Sequence, residues 1–282
     1  MSHTPDSLVA ATALHGALDF TGKTVFVAGG SSGINFAIAD AFARQGAQVA
    51  ICSRSPERVV AAAQRLRLHG GTALGFTADV REPLAIEQAL QSAHQALGPI
   101  DVLISGAAGN FLAPAMGMSA KGFRTVVEID LLGGFHVMRA AQPFLRQPGA
   151  SILNISAPQA FNPTAFQAHV CAAKAGLDMM VRVLAIEWGA HGIRVNSLVP
   201  GPIADTEGIK RLAPDAATQQ AMQDSIPLKR MGSVAEIANM ALVLSSPLAS
   251  FVTGAVLPVD GGSSLMGGRD YTAAFAATHK EQ

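Results

Sequence analysis

The sequence has little of what nucleic-acid-binding proteins and disulfide-stapled domains depend on. Only 14% of its 282 residues are charged, and its 20 basic residues are balanced by 20 acidic ones. Binding to nucleic-acid phosphates needs a basic excess, so we expect no nucleic-acid partner. The two cysteines, Cys52 and Cys171, are too few for a disulfide framework, and we interpret them as small core residues.

Long hydrophobic runs are also missing. No stretch reaches the ~18 uninterrupted apolar residues of a membrane span, and the apolar segment at 8–18 lacks the basic flank of a signal peptide. The last residues, His279 to Gln282, do not form a peroxisomal Ser-Lys-Leu signal. We therefore expect a cytoplasmic protein with no membrane partner. Its mean hydropathy of +0.32 leaves apolar surface for subunit contacts.

Tyrosine is nearly absent. The sequence has one, Tyr271, close to its C-terminus. Aromatic residues together make up 5%, whereas the 28 glycines fit a fold with many tight turns. Proton-transfer chemistry in the body of the chain therefore has to do without a phenol.

Short apolar segments rich in β-branched residues alternate with longer helical patterns. Strands are predicted at 23–28, 48–52, 73–76, 101–104, 151–155, 193–198 and 254–259. Helices are predicted up to Arg44, after the Ser55-Pro56 cap, and at about 83–97, 120–146, 166–189 and 233–246. This alternation predicts an α/β fold: a single Rossmann-type, doubly wound parallel sheet of about seven strands flanked by helices.

One domain accounts for most of the chain. We predict an irregular N-terminal arm at 1–20, a nucleotide-binding catalytic domain at 21–265 and a tail at 266–282. A polar insertion at 203–227 separates the last two predicted strands. Ligands bind beyond the carboxyl ends of the strands in such sheets, so this insertion is well placed to form a small substrate lid.

A glycine-rich turn follows the first strand and opens the first helix. Glycines let the backbone approach a pyrophosphate, and the helix N-terminus offers unpaired N–H groups and a positive dipole. Asn35 stands where a third glycine usually allows close helix–strand packing, which puts the exact cofactor pose in question. The segment predicted to bind the dinucleotide comprises Gly29, Gly30, Ser31, Ser32, Gly33 and Ile34.

The end of the second strand indicates which dinucleotide binds. An acidic residue there would bind a ribose 2′-hydroxyl, whereas Arg54 suits a 2′-phosphate. Arg58, one helical turn later, can add a second contact, and Ser55 belongs to the same segment. We therefore predict NADP(H), with a solvated loop arginine as the alternative.

Few polar groups remain for the chemistry. Ser156 ends the fifth predicted strand, and the carboxyl of Asp130 can hold or shuttle a proton. Val170 stands one helical turn before Lys174 and can neither donate nor accept a proton. A strand-end serine and a structural carboxylate paired with Lys174 remain the alternatives. We interpret His169 as a packing or hydrogen-bonding residue.

This pattern resembles the short-chain dehydrogenase/reductase family, in which a tyrosine usually stands at the position of Val170, and within it the 2,4-dienoyl-CoA reductases of the peroxisomal type. The resemblance covers about residues 20–265. It is carried by residues 107–112, Ile129-Asp130, Gln167-x-His169 with no tyrosine before Lys174, and residues 184–189, 201–208 and 247–255.

The resemblance implies roles for individual residues. It places Asp130 and Lys174 beside a catalytic water, with Ser156 as a further catalytic residue, Lys174 on the nicotinamide ribose and a homotetramer built on helices 120–146 and 166–189. The cofactor contacts that it adds are Asp79, Val80, Pro200, Gly201, Pro202, Ile203 and Thr206. The acyl-CoA contacts that it implies are Arg54, Arg81, Asn110, Phe111, Ser119, Ala120, Lys121 and Arg211, where basic groups suit coenzyme A phosphates. Lys121, Lys210 and Arg211 can equally be solvated surface charge.

The resemblance, with which the missing phenol agrees, implies an NADPH-dependent reductase of 2,4-dienoyl-CoA thioesters that acts in an auxiliary step of unsaturated fatty acid β-oxidation. Hydride enters the distal double bond, and water or Asp130 protonates the resulting dienolate. No metal site is predicted. Two alternatives stay open: a reductase of another enoyl-CoA or enone, and a catalytically silent NADP-binding regulatory protein.

Overall fold

Seven parallel strands form one sheet with helices on both faces. The computed structural model describes residues 16–213 and 215–266, without the side chain of Arg211. The strand order is β3-β2-β1-β4-β5-β6-β7, and every neighbouring pair is parallel. The strands are β1 Thr24–Ala28, β2 Gln48–Ser53, β3 Ala73–Thr77, β4 Val102–Ser105, β5 Ser151–Ile155, β6 Arg194–Pro200 and β7 Val256–Val259. The predicted fold class is confirmed.

The helices follow the strands in the order expected for right-handed crossovers. They are α1 Gly33–Arg44, α2 Pro56–Arg67, α3 Pro83–Leu97, α4 Ala120–Val126, α5 Gly133–Ala141, α6 Ala168–Gly189, α7 Glu207–Leu212, α8 Ala216–Ser225 and α9 Val234–Ser245. Within the described ranges, none of these helices combines the length and apolar character needed to cross a bilayer.

Each face of the sheet carries its own hydrophobic core. Successive side chains of a strand point to opposite faces, so Val25 and Val27 pack with α1, α2 and α9, whereas Phe26 packs with α3, α5 and α6. All five residues of β1 are buried, as are the four of β4, as expected for strands covered on both faces. The sheet is therefore a rigid platform for groups at its carboxyl edge.

The prediction of one continuous helix at 120–146 is wrong in two respects. A π-helical turn at Val127–Leu132 separates α4 from α5, and α5 ends at Ala141 ahead of a 3₁₀ turn at Gln142–Phe144. A single extra residue per turn leaves the apolar pattern almost unchanged, so the sequence period does not reveal it. Asp130 lies inside this π turn and is buried.

The ends of the chain are only partly described. Most of the predicted arm (1–20) and nearly all of the tail (266–282) lie outside the described residues, and so does Tyr271. Phe20 already belongs to the core and packs edge-on against Phe42, with ring centroids 4.7 Å apart. The insertion at 203–227 contains α7 and α8.

Candidate active site

A cavity of about 490 Å³ opens at the carboxyl edge of the sheet. The strand order reverses between β1 and β4, and such switch points are where dinucleotides bind. Predicted site residues that line the cavity are Ile34, Asn110, Asp130, Ser156, Lys174, Pro200, Gly201, Pro202, Ile203 and Thr206. The insertion adds Ile209, Leu212 and Met222, so the segment predicted as a lid forms part of the wall.

The turn after β1 suits a pyrophosphate. Gly29 and Gly33 have φ values of +80° and +58°, which favour glycine. A Cβ atom on Gly30 would lie 2.8 Å from the Cγ2 atom of Ile51, so a side chain has no room there. Ser32 precedes α1, and its side chain makes no capping hydrogen bond with the described residues. The first N–H groups of α1 therefore remain available to an anion.

Basic side chains follow the ends of β2 and β3 and do not line the cavity at the carboxyl edge. Arg81 donates to Asp79 across 2.6 Å, and this hydrogen bond, aided by the charge of Arg54, holds the pKa of the Asp79 carboxyl below its usual range. Ser55 caps α2 by accepting from the backbone N–H of Arg58. Val80 packs beside Gly133, where a Cβ atom would lie 2.6 Å from its Cγ2 atom.

The π turn directs Asp130 towards Lys174. The backbone N–H of Gly109 donates to Oδ1 of Asp130 across 2.6 Å, and Oδ2 lies 3.3 Å from Nζ of Lys174. The two side chains are only 1% and 4% exposed. Lys174 also donates to the carbonyl oxygen of Ile155 across 3.2 Å. Because Oδ1 is fixed by the backbone, Oδ2 is the oxygen that can hold or pass a proton.

A second buried carboxyl group, that of Asp178, lies one helical turn after Lys174 in α6. Burial raises the pKa of Asp178, and the hydroxyl groups of Ser197 and Ser156 and the charge of Lys174 oppose this rise. Ser197 donates to Oδ1 of Asp178 across 2.7 Å and accepts from Asn154 across 3.0 Å. Oγ of Ser156 is buried and has no well-aligned hydrogen bond within the described residues. Asp178 was not predicted as a site residue, and its sequence signal is its place one helical turn after Lys174.

Val170 occupies a small apolar cluster at the cavity wall. It is 2% exposed and packs with Val126 and Ala173. The buried ring of His169 lies 4.3 Å from the ring of Phe111, centroid to centroid. Burial lowers the pKa of His169, although the charge of Asp130 and the backbone of Phe111 oppose the shift. The imidazole is therefore neutral at physiological pH.

Hydrogen-bonded amide side chains lie along the rim of the cavity. The two glutamines among them were not predicted as site residues. Gln159 donates to Oε1 of Gln167 across 2.7 Å, and Gln167 donates to Oδ1 of Asn110 across 2.8 Å. Asn162 also lines the cavity and donates to the carbonyl oxygen of Ser264 across 2.9 Å. The two contacts of Gln167 hold the side chain of the predicted substrate residue Asn110 in place.

Several predicted substrate contacts lie away from the cavity. Ser119 caps α4 by accepting from the N–H of Gly122, and Ala120 and Lys121 follow it in the first turn. Phe111 packs beside this turn, since a Cβ atom on Gly122 would lie 3.3 Å from its ring. The side chain of Arg211 lies outside the described residues.

Thr206 lines the cavity, caps α7 and donates to the carbonyl oxygen of Ile203 across 2.8 Å.

No group of His, Cys, Asp and Glu side chains within the described ranges is arranged to hold a metal ion. Burial raises the pKa of the Cys52 thiol to about 12, which fits its interpretation as a core residue.

Comparison with known proteins agrees with this geometry. The family described as enoyl-(acyl carrier protein) reductase matches residues 28–264. A peroxisomal 2,4-dienoyl-CoA reductase from Pongo abelii, named as (3E)-enoyl-CoA-producing, is 47% identical over 86% of this chain and 84% of its own length. A Bacillus subtilis relative, named "Probable 2,4-dienoyl-CoA reductase [(2E)-enoyl-CoA-producing]", is 37% identical over 86% of this chain and 97% of its own length.

Solved structures share the fold. A Pseudomonas aeruginosa RhlG/NADP active-site complex superposes with a TM-score of 0.83 at 27% identity, covering 89% of this chain and all of that one (100%). A short chain dehydrogenase from Bacillus anthracis superposes with a TM-score of 0.81 at 34% identity, covering 90% and 100% of the two chains. Sequence, sheet order and site geometry agree: the chain is a short-chain dehydrogenase/reductase, an oxidoreductase of the 2,4-dienoyl-CoA reductase type.

Proposed function

We propose that this protein reduces 2,4-dienoyl-CoA thioesters with NADPH. The observation that carries the proposal is the buried Asp130–Lys174 pair at a cavity whose wall has Val170 where a proton-donating phenol usually stands. The names of the relatives support the same activity.

The missing phenol fits reduction of a conjugated carbon–carbon bond. A carbonyl reductase must protonate an oxygen next to the carbon that accepts hydride. A dienoyl thioester instead accepts hydride at C5, and the electron pair moves along the conjugated chain to the thioester oxygen. The site then needs donors for that oxygen and a proton source for carbon. A bound NADPH supplies the hydride.

Asp130 and Lys174 are proposed to supply the proton source for carbon. Nζ of Lys174 lies 3.3 Å from Oδ2 of Asp130, and the N–H of Gly109 donates to Oδ1. We propose that a solvent proton reaches the dienolate through Oδ2, either from the carboxyl group after it has taken up that proton or from a water that it orders. Protonation at C2 gives the 3-enoyl thioester, and protonation at C4 gives the 2-enoyl thioester. The Pongo abelii relative is named for the (3E) product, and we propose that product here.

Cofactor and coenzyme A phosphates are proposed to meet the basic residues beyond β2 and β3. Arg54 would bind the 2′-phosphate of NADP(H), with Ser55 and Arg58 beside it and with Asp79 and Val80 at the adenine. Arg54, Arg81, Phe111, Lys121 and Arg211 would contact the coenzyme A part of the substrate.

Arg54→Ala should weaken NADPH binding by roughly 10- to 100-fold, as expected for one charged hydrogen bond, and leave NADH binding unchanged. Equal losses for both dinucleotides would exclude this role.

Isotope labelling tests the reaction. The protein is incubated with 2,4-hexadienoyl-CoA and NADPH carrying deuterium at its reactive carbon, and the product is analysed by NMR. We expect deuterium at C5, and a repeat with unlabelled NADPH in D₂O should place solvent deuterium at C2. Asp130→Asn keeps the size of the side chain and should lower turnover by about 10²-fold or more. NADPH binding without turnover of any thioester would instead favour a silent regulatory protein.

A second candidate is a reductase of simple enoyl thioesters, which the description of the matching family favours. This enzyme would deliver hydride to C3. Deuterium at C3, or faster turnover of 2-hexenoyl-CoA than of the dienoyl substrate, would support it over the proposal.

We further propose a homotetramer located in the cytoplasm. Phe123, Phe135, Met179, Val183 and Ile186 are exposed on α4, α5 and α6, and burial between subunits would cover them. Some relatives are named as peroxisomal, so the cellular compartment needs its own test. Fluorescent tagging of the protein in its source cell would show whether it is located in the cytoplasm.

A further inference from the structure

Asn35 is the least expected residue in the dinucleotide turn. It lies in the first turn of α1, where a third glycine usually allows the helix to pack closely on the strand. Its side chain crosses to the neighbouring strand end, and Nδ2 donates to the carbonyl oxygen of Gly106 across 2.6 Å. The amide therefore links the turn after β1 to the loop after β4, the two segments that flank the switch point.

Gly106 leaves the space that this amide fills. A Cβ atom on Gly106 would lie 2.2 Å from Oδ1 of Asn35 and 2.5 Å from its Cγ. On the other side, a Cβ atom on Gly29 would lie 3.2 Å from Nδ2 and 3.1 Å from the backbone of Ala107. The amide thus lies close to backbone on two sides, and a side chain at position 106 would have to displace it.

The amide also belongs to the cavity. Asn35, Gly106 and Ala108 all line it. Oδ1 of Asn35 is buried and has no hydrogen-bond partner within the described residues. The side chain is therefore held at one end by Gly106 and forms part of the surface on which a dinucleotide would lie.

We propose that Asn35 is a positioning residue for the nicotinamide dinucleotide, coupled to Gly106. The amide takes the volume that a side chain at 106 would otherwise fill and sets the spacing between the β1 turn and the β4 loop. Restoring the usual glycine at position 35 should then weaken cofactor binding, because it opens a gap beneath the cofactor. The inference rests on the family's use of a nicotinamide dinucleotide and is independent of the thioester reduced.

The test is a double-mutant cycle read by cofactor affinity. NADPH dissociation constants are measured by titration calorimetry, with thermal unfolding of the same samples, for wild type, Asn35→Gly, Gly106→Ala and the double variant. Asn35→Ala is a further variant without the flexibility of glycine. We expect each single change to weaken binding by roughly three- to tenfold, the range for one neutral hydrogen bond. The double variant should recover to within about threefold of wild type, because the methyl group added at position 106 refills the space.

Ala37→Gly is the matched control. It adds a glycine to the same helix away from the cavity, so it should lower the melting temperature and leave the dissociation constant unchanged. Equal or tighter binding by Asn35→Gly and Asn35→Ala, or additive losses in the double variant, would overturn the inference. A wild-type protein that binds NADPH but reduces no dienoyl thioester would count against the proposed function alone.

Discussion

Two buried carboxyl groups, Asp130 and Asp178, interact electrostatically with Lys174 and differ in their surroundings. Asp130 is fixed by the backbone of Gly109 and lines the cavity, whereas Asp178 is held by Ser197 beneath it. Burial raises the pKa of Asp178, with the charge of Lys174 among the opposing effects. We propose that Asp130 takes part in proton transfer, whereas Asp178 interacts with Lys174 only through its charge.

Val170→Tyr tests the missing phenol. The new hydroxyl would enter a wall that is now apolar, one helical turn before Lys174, and should displace the water proposed to act beside Asp130. We expect lower turnover of 2,4-hexadienoyl-CoA in steady-state assays. Val170→Phe is the control for volume, because a larger side chain in a buried site is destabilising even without a hydroxyl group. Turnover above wild type for the tyrosine variant would contradict a water-based proton supply.

Asp178→Asn tests the buried carboxyl through pH. A raised folded-state pKa means that the native protein binds the proton more tightly than the unfolded chain does. The contribution of Asp178 to stability is then fully present below about pH 4, the unfolded value, and is lost as pH rises through the folded value. Urea unfolding at a series of pH values should show the variant gaining stability relative to wild type as pH rises. Parallel curves would contradict this assignment.

Asp215→Asn provides a control of opposite sign. Hydrogen bonds from Thr218 lower the pKa of the exposed Asp215 carboxyl, so its contribution is present above the unfolded pKa and is lost as pH falls.

Site residues that stand in a local sequence pattern could be predicted from the sequence. Site residues whose position depends on tertiary contacts could not. The spacing of Val170 and Lys174 shows directly that no phenol stands one turn before the amine. The glycines at 29 and 33 likewise mark a dinucleotide turn. The contact between Asn35 and Gly106 spans 71 positions, so no local pattern reveals it.

At the scale of elements, the π turn at Val127–Leu132 is the feature that directs Asp130. One extra residue in the turn rotates the part of the helix on its N-terminal side by about 100° relative to a continuous α-helix. Such turns are frequent at functional sites. The sequence predicted a helix here but not the turn inside it, because the apolar residues keep nearly the same spacing.

Deletion of Leu132 tests the π turn. Leu132 is half-exposed, so its removal costs little packing while it restores the α-helical register. We expect turnover of the dienoyl substrate to fall by about 10²-fold or more, since Asp130 leaves Lys174, with helical circular dichroism retained. Leu132→Ala keeps the length and should behave as wild type. A deletion variant with wild-type turnover would show that the turn does not direct Asp130.

At the scale of the whole molecule, α6 connects the site to an apolar surface. Its inner side carries Lys174 and Asp178, and its outer side exposes Met179, Val183 and Ile186 at helical spacing. Sequence composition indicated apolar surface to cover, but the face that carries it became visible only with the fold. The proposed tetramer uses this face.

Ile186→Glu tests the assembly. Ile186 is 81% exposed, so a charge there is harmless to a monomer but costly inside a subunit contact. We expect sedimentation analysis to show wild-type tetramers and smaller species for the variant. Leu68→Glu, at a similarly exposed apolar position on another face, should leave the assembly unchanged. Identical sedimentation of wild type and Ile186→Glu would exclude this face as an interface.

The most direct test of the central claim compares two substrates in one assay. Consumption of NADPH by the wild-type protein is followed with 2,4-hexadienoyl-CoA and, separately, with acetoacetyl-CoA, a ketone thioester of similar size. A pocket without a phenol should oxidise NADPH with the dienoyl substrate and leave the ketone untouched. Reduction of the ketone, or no reaction with the dienoyl thioester, would contradict the account.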